Sequence, residues 1–246
     1  MAARRAGLSH TTGVLPASGG SRRRAVLLDA YGTLLRLPPP APRLRGLLAA
    51  DGHHHPEERV AGAIAAEVGY YRRHHDRGRD AASLAALRRE CAAVIAGALG
   101  GDVPPLDRLA ELLVASLRFE LMPDALPALD ALAARGARLA VVSNWDYALP
   151  DVLEGLGVAD RFAAVATSAA VGAAKPDPAI FRSALKALAV GPGDALHCGD
   201  SPRHDCAGAT AAGIVAVLID RDGTAPGRGA CRRIGSLLEL PVMIDP

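Results

Sequence analysis

The stretch Arg24-Ala25-Val26-Leu27-Leu28-Asp29-Ala30-Tyr31-Gly32-Thr33-Leu34 decides the fold. Ala25 to Leu28 form an apolar run too short for a helix and without the polar alternation of a half-exposed strand, which is the pattern of a strand buried on both faces. The run ends at an acid and a Tyr-Gly-Thr turn, so it delivers Asp29 to a loop. Similar runs recur at Arg138–Val142, Phe162–Thr167, Ala195–Cys198 and Ile214–Ile219, with amphipathic helical stretches between them. Such alternation predicts an α/β core built on a parallel sheet with right-handed crossovers. Ligands of open parallel sheets bind beyond the carboxyl ends of the strands. Asp29, Ser143 with Asn144, and Asp200 each stand just past an apolar run, so this fold would gather them on one rim.

Between the first strand and the second lies a long insertion opened by Pro38, Pro39, Pro40 and Pro42. It shows no strand pattern. Pro56–His75, Ala81–Leu99 and Leu106–Leu117 space their apolar residues by three and four, with breaks at Gly78, Gly100-Gly101 and Pro104-Pro105. The expected organisation is a core over 25–37 and 121–246, a helical cap over 38–120, and a tail over 1–24. That tail carries five arginines, no acid and no apolar periodicity, and reads as disordered. An acid-free start also fits a targeting segment, but Asp29 interrupts the apolar run after Arg24, so a plain tail is the expectation.

Composition narrows the function classes. The net charge is +2 and aromatic residues make up only 3%, leaving no basic stripe with interleaved rings for nucleic acid. No stretch of eighteen apolar residues runs without a charge or turn signal, so no membrane span is expected. Cys91, Cys198, Cys206 and Cys231 show no Cys-x-x-Cys pair, which argues against a zinc site or a disulfide framework. They read as reduced thiols of a cytoplasmic protein. His53-His54-His55 reads as a solvated loop, and the Arg72-Arg73 run as the positive end of a helix.

Four segments can carry chemistry. An Asp at a strand tip before Gly is exposed for use as a nucleophile, and the turn of Gly32 and Thr33 offers main-chain groups to an anion. Ser143 and Asn144 leave a strand together, where a hydroxyl and an amide can bond an oxyanion. Lys175 sits between helix-approaching prolines in Lys175-Pro176-Asp177-Pro178, which aims its ammonium. Of 28 basic residues only Lys175 and Lys186 are lysine, and Asn144 is the sole asparagine, so each surviving copy stands out. The fourth segment, His197-Cys198-Gly199-Asp200-Ser201-Pro202-Arg203-His204-Asp205, sets two carboxylates around a turn. Asp200 is the hard oxygen ligand that Mg²⁺ prefers; His197 reads as a strand residue and His204 as a loop residue.

In this order, Asp-x-x-Gly-Thr-Leu, Ser-Asn, Lys-Pro-Asp-Pro-x-Ile-Phe and Gly-Asp-Ser followed by Asp205 resemble the haloacid dehalogenase superfamily, over nearly the whole chain from residue 25. The resemblance implies a Rossmann-like core, with the helical insertion looking like the cap of the subclass that includes phosphatase-like and 2-haloacid-dehalogenase-like members. It further implies a covalent aspartyl intermediate on Asp29, with Ser143 and Lys175 steadying the transferred group. Asp29, Asp200 and the main-chain carbonyl of Tyr31 would hold Mg²⁺, and Asp205 would complete the metal site, orienting Lys175 or a metal-bound water. Substrate contacts would come from Gly32, Thr33 and Asn144, and the substrate would be a small anionic molecule.

One position departs from the family's phosphatases, which have a second Asp two residues after the nucleophile. Here that residue is Tyr31. A phenol can donate a proton at neutral pH but is a poor base for the second step. Asp-Ala-Tyr-Gly-Thr-Leu looks instead like 2-haloacid dehalogenases, since a departing halide needs no proton. Those enzymes work without metal and typically lack the acid at Asp200. Two carboxylates facing each other with no cation between them would blunt the nucleophile. The expectation is therefore a Mg²⁺-dependent hydrolase of a small phosphorylated metabolite, with carbon-halogen hydrolysis or a non-catalytic binding role as the alternatives.

Overall fold

A computed structural model describes residues 24–225 and 231–244. The expected tail lies, apart from Arg24, outside the described residues. The chain opens with β1 (Ala25–Leu28), whose four residues are all buried, and a two-residue strand β2 (Leu35–Arg36). Four helices follow: α1 (Ala41–Ala50), α2 (Glu57–His74), α3 (Ala81–Leu99) and α4 (Leu106–Ser116). The chain then returns through β3 (Glu120–Leu121), which pairs antiparallel with β2 and ties the two roots of the helical cap together. Next come α5 (Ala125–Ala134), β4 (Arg138–Ser143), α6 (Leu149–Gly155), β5 (Ala164–Thr167), α7 (Ser168–Val171) and α8 (Pro178–Leu188). After them stand β6 (Ala195–Gly199), α9 (Gly208–Ala211), β7 (Val215–Ile219), β8 (Arg232–Ile234) and α10 (Pro241–Ile244).

Six strands form one parallel sheet in the order β5-β4-β1-β6-β7-β8. The chain builds outward from β1 to one side, then crosses back to β6 and builds the other, so the topological switch falls at the carboxyl ends of β1 and β6. Strand alternation divides the core between the two faces. Val26 and Leu28 pack with Leu129, Leu132 and Ile234, while Ala25 and Leu27 pack with Ile180, Phe181 and Ala184 of α8. Burying each large apolar side chain stabilises by about 1.5–3 kcal/mol, so the strand that carries Asp29 is among the most firmly held. A third cluster, including Leu44, Val60, Ile95 and Leu109, holds the cap helices to one another.

Three local features differ from the sequence reading. Helix α1 is a fourth cap helix, hidden by the proline run; Pro42 is tolerated because it falls in the first turn, where a missing N–H costs nothing. The Ala/Gly-rich stretch after Asp205 reads in sequence as a helix ending at Gly213; the structure has a π-helical turn over Pro202–Ala207 followed by the short α9. Third, Cys206 and Cys231 are not free thiols. Their sulfurs are joined, with Cα atoms 6.0 Å apart, while Cys91 and Cys198 are free and buried. Twenty-five residues separate the pair in sequence. The sheet brings them together, because the turn after β6 packs on β7 and Cys231 leads into β8, the next strand over. Among the described residues, no helix is long and apolar enough to cross a membrane.

Candidate active site

The carboxyl ends of β1, β4 and β6 bring four distant segments together. Asp29 leaves β1 with its main-chain N–H donating to the Cys198 carbonyl at 2.9 Å, which fixes the turn against β6. Lys175 Nζ donates to Asp29 Oδ1 and to Asp205 Oδ1, both at 2.6 Å, and Ser143 Oγ donates to Asp29 Oδ1 at 3.1 Å. Thr33 Oγ1 is at the outer limit of a hydrogen bond, 3.5 Å from Asp29 Oδ2. Asp205 is held from its other side as well, by His197 Nε2 at 2.9 Å from Oδ1 and by the Ser201 N–H donating to Oδ2 at 2.9 Å.

Ligand oxygens of Asp29, Asp200 and Asp205 lie within 4.8 Å of one another, and Lys175 is the one ammonium among them. The consequences differ by residue. Burial pushes Asp29 above the ordinary carboxylate range, and Lys175 opposes that rise. Burial would raise Asp205 too, but Lys175 and His197 outweigh it and hold the carboxyl well below its usual range. At Asp200 the pull of Lys175 is outweighed. Loss of water around its carboxylate, then the negative charges of Asp29 and Asp205, push it up to about 6. Burial works against the Lys175 ammonium, yet its two carboxylates raise its pKa and keep it charged. Gly32 belongs to the same packing. It sits at φ +85°, and a side chain there would strike the Asp200 carboxylate.

The profile of the haloacid dehalogenase-like hydrolases matches residues 23–213. The chain belongs to this family. It is 42% identical over 116 residues to mouse haloacid dehalogenase-like hydrolase domain-containing protein 3, covering 47% of this chain and 46% of that one. Phosphoserine phosphatase of Thermus thermophilus is 42% identical over 108 residues, 42% of each chain, and phosphoglycolate phosphatase of Rhodospirillum rubrum 45% identical over 98 residues, 39% and 40%. The matches thus span under half the length of these relatives. Whole-chain likeness comes from solved structures. The haloacid dehalogenase (HAD) phosphatase from Thermococcus onnurineus superposes with a TM-score of 0.64 at 26% identity, over 90% of this chain and 98% of that one. The 2-haloacid dehalogenase from Pseudomonas syringae pv. Tomato DC3000 gives 0.66 at 27%, with the same coverage.

Within this haloacid dehalogenase-like chain, Asn144 has a clear structural task. Its Nδ2 donates to the Lys175 carbonyl at 3.0 Å and its Oδ1 accepts from the Lys175 N–H at 2.6 Å, so one side-chain amide clamps the main chain that aims the ammonium. Thr33 is buried, and the Gly32 N–H donates to the Leu35 carbonyl at 2.8 Å, closing the turn. Tyr31 is 44% exposed and lines a cavity of about 580 Å³ that opens over Asp29.

Sequence reasoning passed over His197 and the polar residues of the cap wall. A single histidine in an apolar strand looks like filler, and only the fold shows that it faces Asp205. On the cap, Tyr71 donates its hydroxyl to Asp146 Oδ2 at 2.8 Å, and His75 Nδ1 lies 3.2 Å from Ser168 Oγ. Tyr147 N–H donates to the Gly78 carbonyl at 2.8 Å, a third tie between cap and core. Their signal in the sequence was weak, because aromatic and histidine residues at a helix end fit an ordinary amphipathic pattern.

Proposed function

We propose that this chain is a Mg²⁺-dependent phosphatase of small phosphorylated metabolites, working through an aspartyl-phosphate on Asp29. One observation carries the reading: three carboxylates converge on one point with a single ammonium to balance them. Such a set of hard oxygens with excess negative charge fits a divalent cation, and Mg²⁺ commonly takes one or two carboxylates beside water and a substrate phosphate. Asp29 and Asp200 are the residues to hold it, because both oxygens of Asp205 are already engaged by Lys175, His197 and the Ser201 N–H. When bound, the ion would offset charge on the transferring group. The phosphatase-named relatives support the same substrate class.

The chain's own residues supply the rest. An Asp29 carboxylate oxygen attacks phosphorus while the bond to the leaving oxygen breaks, and water then attacks the aspartyl-phosphate to release inorganic phosphate and regenerate the carboxylate. Lys175 and Ser143, both within hydrogen-bond reach of Asp29, steady the charge of the equatorial oxygens. Asp205 holds Lys175 in place. The Tyr31 phenol can protonate a leaving alkoxide but is a poor base toward water, which favours acyl and aryl phosphates as substrates.

The dehalogenase alternative keeps one point in its favour, Tyr31 at the family's acid position. Against it stands Asp200, which would face Asp29 with no cation between. Acetyl phosphate and p-nitrophenyl phosphate, assayed with and without Mg²⁺, test the choice. Phosphate release that stops with chelator is expected; halide release from a 2-chloro acid in excess chelator would overturn the reading.

A further inference from the structure

The cavity over Asp29 does not end at the sheet. It continues between the cap helices, where α2 contributes Glu67 and Tyr71, the residue that caps it contributes His75, and α3 contributes Leu84, Leu87 and Cys91, spacings that put one stripe of each helix on the cavity. His75 and Tyr71 touch the core, at Ser168 and Asp146. Glu67 lies eight residues back from His75, about 12 Å along the helix axis from the residue that touches the core, on the cap part of the cavity wall. The walls are mostly apolar, with Leu84, Leu87, Leu113, Leu117, Phe119 and Trp145 among them, and Arg72 and Arg88 line the same cavity.

Glu67 is 8% exposed, and among the described residues its side chain has one partner, the Cys91 thiol. The other buried acids are better served. Asp29 and Asp205 take Lys175, and Asp146 takes the Tyr71 hydroxyl and the Ala148 N–H at 2.7 Å. A carboxylate offers about four lone-pair sites, and a thiol is a weak donor for one of them. Burial accordingly raises the Glu67 pKa. A buried acid left this short of donors on the wall of a substrate-sized cavity is a group waiting for one.

We propose that Glu67 and Cys91 form a recognition subsite for a hydrogen-bond donor, an amine or a hydroxyl, at the far end of an otherwise apolar organic group carried by the phosphate ester. The inference rests on the phosphatase reading, since it places the phosphate at Asp29. It deepens that reading by making the substrate longer than a two- or three-carbon phosphoacid, apolar through its middle and polar at both ends.

Alkylphosphonates test it without turnover, because their carbon-phosphorus bond survives Asp29. A ladder of chain lengths, each ending in ammonium, hydroxyl or methyl, is titrated calorimetrically into the full chain with Mg²⁺. At one length the donor-ended compounds should bind roughly tenfold to a hundredfold tighter than the methyl-ended one, the usual worth of a hydrogen bond to a charged group. The better of ammonium and hydroxyl names the donor. Glu67→Leu should erase the preference, and the near-isosteric Glu67→Gln should weaken it while keeping the fold. Equal binding of all three ends, or a preference that survives Glu67→Leu, overturns the inference and leaves the phosphatase reading standing. Absence of any phosphonate binding, together with no phosphate release from acetyl phosphate, removes both.

Discussion

The two ends of the cavity are built on opposite plans. At the sheet end, side chains from three strand tips and one loop are locked into each other: Lys175 bonds two carboxylates, Asn144 clamps the Lys175 main chain, and Asp205 is held from three directions. At the cap end, the polar side chains of Glu67, Tyr71, Arg72, His75 and Arg88 are set in a mostly apolar wall, and among the described residues Glu67 has only a thiol as partner. The first arrangement costs little reorganisation when charge moves, which is what electrostatic stabilisation of a transferring group requires. The second leaves donors and acceptors for a ligand to complete. On the proposed reading, fixed chemistry and open selection are separated along one cavity of about 580 Å³.

The contrast is sharpened most by Tyr31, which stands where the two ends meet. Tyr31→Asp should raise the rate on alkyl phosphates by ~10²–10⁴-fold, the gain expected of a positioned acid-base group, with less gain on aryl phosphates. A variant that stays folded, binds Mg²⁺ and gains on no substrate would mean that proton transfer does not limit this site.

Lys175→Ala probes the locked end. Loss of one charge-stabilising donor should cost ~10²–10³-fold in kcat. Leaving Asp29 and Asp205 buried without their ammonium should also cost about 3–5 kcal/mol of stability, read by denaturant unfolding. A variant as stable as the parent would show that the network is not held as the distances imply.

Much of the sheet end was legible in sequence, because Asp29, Ser143 and Asp200 each follow an apolar run, strand tips of a parallel sheet share a rim, and flanking prolines and the rarity of lysine marked Lys175. Asp29, Ser143, Lys175, Asp200 and Asp205 do come together there. His197 was not legible, since β alternation sends it toward Asp205 only once the register with neighbouring strands is known. Helix α1 was masked by prolines, and the Cys206–Cys231 bond by a spacing that only the β7–β8 pairing explains. The cap wall was the least legible. One acid on an amphipathic helix reads as a solvated face, and Glu67 becomes unusual only when α3 covers it.

At the junction of the two plans, Tyr71→Phe should cost about 1–3 kcal/mol, because Asp146 would lose its hydroxyl donor while staying buried. Thermal unfolding checks it, and an unchanged midpoint would mean that this tie between cap and core carries no load.

The smallest effect is a pH signature of the cap. Burial raises the folded-state pKa of Glu67, so its contribution to stability is fully present below the ordinary carboxylate range and is lost as pH rises through the raised value. The Tm difference between the parent and Glu67→Gln should therefore favour the parent most at acidic pH and shrink or reverse toward neutrality. A difference that does not change with pH would show that Glu67 titrates as it does in the unfolded chain.

The central claim is that Asp29 carries the transferred phosphoryl group. Mass spectrometry of the acid-quenched protein, sampled during turnover of acetyl phosphate with Mg²⁺, should find one added phosphoryl group on the peptide that contains Asp29, and none in Asp29→Asn. Phosphate release by the Asp29→Asn variant at the parent rate, or a phosphoryl group trapped on another residue, would contradict it.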